Sequence, residues 1–142
     1  MAKPAEYQMR VNPEVIDAIY EGILRMMIVD KKYRNHDYTA RQLAHDLHTN
    51  TRYISATVSL RFGMNFSDLI NSYRIREAQY LLTDRRYQHL TIEEIAHECG
   101  FRSRQTLHSA FFSALHQTPR QYQQNFNQIH KLQKPATRPN PE

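Results

Sequence analysis

The sequence predicts an all-α protein of about seven helices, and three observations carry that prediction. Apolar residues recur at three- and four-residue spacing and do not alternate. Only 3 glycines interrupt the 142 residues. Residues suited to cap a helix stand directly before each apolar stripe. The length suits one domain, or two small subdomains.

Residues 1–12 read as a flexible lead. Asn12 can cap a helix whose first turn holds Pro13, because proline's missing N–H would have no partner there anyway. Val15, Ile16, Ile19, Ile23, Leu24, Met27 and Ile28 extend this helix to about Lys31. The polar stretch 31–37 reads as a loop. Thr39 caps a short helix to about Leu47 that turns Leu43 and Ala44 inward. Asn50 caps another that carries Ile54, Val58 and Phe62 and ends at Gly63, where a positive φ is wanted. Asn65 or Ser67 opens a longer helix through Leu69, Ile70, Tyr73, Ala78, Leu81 and Leu82. Residues 83–89 are a charged connection. Thr91 and Glu94 form a capping box for a helix carrying Ile92, Ile95 and Ala96 and ending at Gly100. Ser103 caps the next helix, with Leu107, Phe111 and Leu115 inward. Thr118 and Pro119 open a last helix containing Tyr122, Phe126 and Ile129. From Lys134 onward the chain is proline-rich and is expected to be a flexible tail.

The chain also repeats itself. Thr39 matches Thr91, Leu43 matches Ile95, and Ala44 matches Ala96. After one extra residue in the second turn, Asn50 matches Ser103, Ile54 matches Leu107, Val58 matches Phe111, and Gly63 matches His116. Each copy is a short helix, a tight turn and a capped helix of about three turns, which is a helix-turn-helix. The small alanine lets the second helix cross the first closely. The residues just after the second helix's cap point outward, as a helix entering the DNA major groove requires. The expected organisation is a first helix-turn-helix subdomain over 13–65, a linker helix over 66–82 and a second subdomain over 83–133, with 134–142 as the tail. A helix over 66–82 is about 25 Å long. It could hold two reading helices about one DNA turn apart, near 34 Å.

The formal net charge is +5 and the pI about 9.5, with 14 of the 19 basic residues arginine. Arginine's planar fork suits phosphate and guanine, so the balance fits a polyanionic partner. Cys99 is the only cysteine, which excludes an internal disulfide or a Cys-based zinc site. It is expected to be a small buried apolar residue. His45 and His48 share a helix face but lack a third ligand at a recognisable spacing, so no metal is expected. Tyr20, Tyr33 and Tyr38 are expected to pack with their hydroxyls wet. The first ten residues lack the apolar core of a signal peptide, and no run approaches a membrane span. No nucleophile elbow or glycine-rich phosphate loop is present. No motif asks for a cofactor, and none supports an enzyme. A cytoplasmic protein is expected.

The stretch Ile95-Ala96-His97-Glu98-Cys99-Gly100-Phe101-Arg102-Ser103 continues through Leu107, Phe111 and Thr118-Pro119-x-x-Tyr122. In the first half stand Gly63-Met64-Asn65-Phe66 and Tyr73-Arg74-x-Arg76-x-Ala78-x-x-Leu81-Leu82. Over about residues 13–126 the chain resembles the AraC/XylS family of bacterial transcription regulators. The resemblance implies double-stranded DNA as partner. It places base-reading positions at Arg52, Tyr53, Ser55 and Ala56, and at Arg104, Gln105, His108 and Ser109. Arginine can grip guanine and glutamine adenine through paired hydrogen bonds, which singles out Arg52, Arg104 and Gln105. Phosphate contacts are expected from Asn50, Thr51, Arg61, Arg74, Arg102, Ser103 and Thr106, with Arg76 structural.

The chain departs from the family pattern at four positions. Ala56 and Ser109 stand where arginine is frequent, Phe112 replaces a usual lysine, and His116 a usual glycine. No target sequence is therefore carried over. The family further implies contact with RNA polymerase or a sensing domain. The extent fits a small stand-alone activator, acting as a monomer or a dimer, or the output domain of a longer protein. A helical protein-interaction module of the same fold, without specific DNA binding, stays open as the alternative.

Overall fold

The computed structural model describes residues 12–133, so the expectations for the lead through residue 11 and for the tail at 134–142 lie outside the described residues. Seven α-helices are present among them: α1 Pro13–Leu24, α2 Ala40–Asp46, α3 Thr51–Phe62, α4 Phe66–Thr83, α5 Ile92–Cys99, α6 Arg104–Leu115 and α7 Pro119–Gln133. No strand occurs among the described residues.

The helices start where their caps dictate. The Asn12 side chain accepts from the Glu14 N–H at 2.8 Å, and Pro13 occupies the first turn. Thr39 and Gln42 form a capping box at α2, as Thr91 and Glu94 do at α5. Asn65 is the residue that opens α4, accepting from the Asp68 N–H at 2.8 Å. Thr118 and Gln121 exchange two such bonds at α7, at 2.9 and 3.0 Å.

Two expectations of plain loop gain local order. A 3-10 turn forms at Lys32–Arg34 and another at Arg85–Tyr87. The first helix also differs at its end. Residues Arg25–Val29 form a π turn, closed by the Asp30 N–H donating to the Arg25 carbonyl at 3.0 Å. The wider turn keeps Met27 buried but leaves Ile28 and Val29 exposed, which removes Ile28 from the apolar stripe.

Two compact units meet between Arg74 and Ile75, inside α4. The first unit buries Ile19, Ile23, Met27, Tyr33, Tyr38, Leu43, Ala44, Ile54, Val58, Leu69 and Ile70 together. The second buries Ile75, Ala78, Leu81, Leu82, Ile92, Ile95, Ala96, Cys99, Phe101, Leu107 and Phe111. The residues of 66–82 thus supply core side chains to both units. Fully buried side chains such as Ile54 and Leu107 contribute about 1.5–3 kcal/mol each. Cys99 is one of these core side chains. The three tyrosine rings pack as expected, but the Tyr38 hydroxyl is not left to water: it donates to the Asp46 carboxylate at 2.7 Å. Tyr33 and Tyr38 are buried, and Tyr20 lies against Phe62 at 5.4 Å between ring centroids.

Each unit turns from its short helix into its second helix by the same device. The Thr49 N–H donates to the Ala44 carbonyl at 2.8 Å, and the Phe101 N–H to the Ala96 carbonyl at 2.9 Å. Both are six-to-one closures from the repeated alanine, with His48 and Gly100 at positive φ between.

Candidate nucleic-acid interface

In the first unit, α3 is set by Asn50, whose side chain accepts from the Tyr53 N–H at 2.9 Å. The apolar residues Ile54 and Val58 anchor the helix in the core. Thr51, Arg52, Ser55 and Ser59 are exposed on its other side, and Asn50 is exposed at its tip. Tyr53 is half-buried and packs against the core, so only its outer part is presented.

The burial of two expected DNA contacts in this unit, Ala56 and Arg74, corrects them. Ala56 is 1% exposed and packs against Ile16 of α1, so no base can reach it. Arg74 is 9% exposed; its Nε donates to the Tyr33 carbonyl at 2.8 Å and its Nη2 to the Asn35 carbonyl at 3.1 Å. It is a buried strut for the 3-10 turn, with its guanidinium engaged by these carbonyls, while Arg76 is exposed. Arg61 pairs with Asp17 and lies over the Tyr20 ring, 5.1 Å from its centroid. Its guanidinium is turned back onto α1 and engaged there.

In the second unit, Ser103 and Thr106 form a reciprocal cap on α6. The Thr106 N–H donates to the Ser103 hydroxyl at 3.2 Å, and the Ser103 N–H to the Thr106 hydroxyl at 3.1 Å. The Thr106 hydroxyl also donates to the Ser103 carbonyl at 2.8 Å, so it serves the cap first. Leu107 and Phe111 hold α6 in the core. Arg104, Gln105, His108 and Ser109 are all exposed, and at about 100° per residue they span one face of the helix. Arg102 is exposed just before the cap. The two units differ at one matched position. Ser109 is open to solvent, whereas its counterpart Ala56 is covered by α1.

Arg104, Gln105 and His108 line a shallow concavity of about 470 Å³ with Ser103 and Glu93. Glu93, in the first turn of α5, was missed by the sequence reasoning. The helix-turn-helix geometry that brings the start of the first helix beside the cap of the second is the signal that could have found it.

A family model described as a helix-turn-helix domain matches residues 43–125. The chain belongs to the AraC-type helix-turn-helix family. Solved structures with AraC-type or related domains share the fold. The C-terminal domain of the two-component response regulator yesN from Fusobacterium nucleatum subsp. nucleatum ATCC 25586 is 27% identical. The match covers 70% of this chain and 94% of that one, with a TM-score of 0.62. The DNA-binding domain of AdpA, a global transcriptional factor solved with a target DNA, is 20% identical. It covers 82% and 97% of the two chains, with a TM-score of 0.68. A transcriptional regulator of the AraC-type DNA-binding group from Chromobacterium violaceum is 19% identical, with coverages of 82% and 98% and a TM-score of 0.65. Among curated proteins nothing matches the chain.

The electrostatics of this AraC-type chain support the scaffold around α3 and α6. The Thr91 N–H donated to Glu94 holds that carboxyl below its ordinary range and tightens the start of α5. Burial, with the hydrogen bond to Asp46 at 2.7 Å, pushes the Tyr38 hydroxyl well above its ordinary range and keeps it a neutral donor. Among the described residues, no three His, Cys, Asp or Glu side chains converge as a metal site would need. No helix among them is long and apolar enough to cross a membrane.

Proposed function

We propose that the protein is a sequence-specific DNA-binding transcription regulator that lays α3 and α6 into two adjacent segments of the major groove. The observation that carries this is the repeated presentation of a capped helix. Thr51, Arg52 and Ser55 stand outward in one unit, and Arg104, Gln105, His108 and Ser109 in the other. Arg52 and Arg104 suit guanine O6 and N7, Gln105 suits adenine, and His108 and Ser109 can add single hydrogen bonds. The backbone N–H groups in the first turns of both helices suit phosphate, with Asn50, Thr51 and Arg102 beside them. Residues 13–65 and 83–133 are the two reading subdomains in this proposal, with 66–82 between them. The family extends it to a contact with RNA polymerase and to action in the cytoplasm. It assigns no catalytic step.

The test is selection of bound duplexes from a random pool, followed by titration of the selected duplex over a range of salt. The expected result is a site with two short elements about ten base pairs apart. Its affinity should fall with salt at a log–log slope near −0.9 per phosphate contact. Weak binding to every duplex with no enrichment would overturn the proposal in favour of a protein-interaction module.

A further inference from the structure

We infer that Phe112 is a specificity-determining residue that contacts the 5-methyl group of a thymine in the major groove. The inference rests on the proposed function and deepens it, since none of the polar reading positions explains a bare aromatic ring on the same helix. Phe112 is 48% exposed, while its neighbour Phe111 is fully buried in the core. At about 100° per residue, adjacent phenylalanines cannot share a face, so one serves the fold and the other does not.

The register decides where Phe112 points. It lies seven residues beyond Gln105, which is two turns to within about 20°, and four beyond His108. It therefore sits on the reading face, between the directions of His108 and Gln105. Its ring is parallel to the His108 imidazole, with 3° between planes and 6.5 Å between centroids. That neighbour limits how the ring can turn, and a phenylalanine has few torsions to lose on binding.

On this face an apolar ring has one complement among the base edges. The thymine 5-methyl is the apolar group that the major groove displays, and phenylalanine is one of the side chains that meet it. Seven residues of helix rise span about 10 Å, so the thymine belongs to a different base pair from the one read by Gln105. The matched position of the first unit, Ser59, is exposed and small, so this contact belongs to the second unit alone.

The experiment replaces each thymidine of the selected duplex in turn with deoxyuridine, which removes only the methyl group. Binding is measured for the full chain and for Phe112→Ala, with far-UV circular dichroism confirming that the variant is folded. At one position, deoxyuridine should weaken the unaltered protein about fourfold, the value of one buried methyl, and should leave Phe112→Ala unchanged. Gln105→Ala locates the reference pair. If deoxyuridine weakens both proteins equally, or neither, the inference about Phe112 fails while the proposed function stands. If no duplex is enriched at all, the proposed function fails and takes this inference with it.

Discussion

Gly63 and His116 close matched helices in the same left-handed conformation, at φ 69° and φ 57°. Each donates its N–H to the carbonyl four residues back, at 3.1 Å from Gly63 to Ser59 and 2.8 Å from His116 to Phe112. A left-handed residue with a Cβ costs about 1–2 kcal/mol, partly offset by the extra freedom glycine has when unfolded. His116→Gly should therefore stabilise the protein by about 0.5–1 kcal/mol, seen as a higher urea midpoint at constant slope. Gly63→Ala should destabilise by about 1 kcal/mol through backbone strain alone, because a Cβ there meets nothing within 4 Å. An unchanged midpoint in both variants would refute the argument.

Arg74 is expected to matter for folding and not for DNA. Arg74→Ala leaves the Tyr33 and Asn35 carbonyls without their donor and should cost about 2–3 kcal/mol. Lysine should not restore this, since one ammonium lacks the guanidinium's fork. The salt slope of DNA binding, measured on the folded fraction, should be unchanged. A slope lowered by about 0.9 would return Arg74 to the phosphate contacts.

The matched pair Ala56 and Ser109 should respond oppositely to arginine. Ala56→Arg forces a charge against Ile16 and should destabilise by several kcal/mol. Ser109→Arg adds an exposed cation on the reading face. It should leave thermal stability within about 0.5 kcal/mol and tighten DNA binding, with the salt slope steeper by about 0.9. Equal tolerance at both positions would contradict the burial of Ala56 against Ile16.

Arg104→Ala should relax specificity at one base step and cost roughly 1–3 kcal/mol there. The comparison that decides is between the selected duplex and a scrambled one. Equal loss on both would make Arg104 a phosphate contact.

Asp84 provides a pH prediction. It accepts from the Arg86 backbone N–H at 2.8 Å and from Arg86 Nε and Nη2 at 3.0 and 2.9 Å, which hold its carboxyl down at about 2. A depressed carboxyl stabilises the fold fully above its unfolded value, near 3.9, and that contribution is lost as pH falls from there through about 2. Carboxyl NMR should show a midpoint near 2, moving toward the ordinary aspartate value in Arg86→Gln. An unmoved midpoint would dismiss the arginine as the cause.

The sequence by itself determined the helices, their caps and the repeat. These depend on neighbours one to four residues apart: Thr39 with Gln42, Thr91 with Glu94, Ser103 with Thr106. It also marked the outward side of α6, because Leu107 and Phe111 fix which face is inward. Only the tertiary structure decided which similar side chains were available. Ala56 and Ser109 are matched in the sequence, yet α1 covers one and not the other. Arg74 and Arg76 read alike, and the carbonyls that claim Arg74 lie about forty residues away in the chain. Asp17 turns Arg61 back in the same way. Local spacing sets where a helix points its side chains, but burial and long-range hydrogen bonds depend on which distant segment lies alongside, and no short-range pattern encodes that.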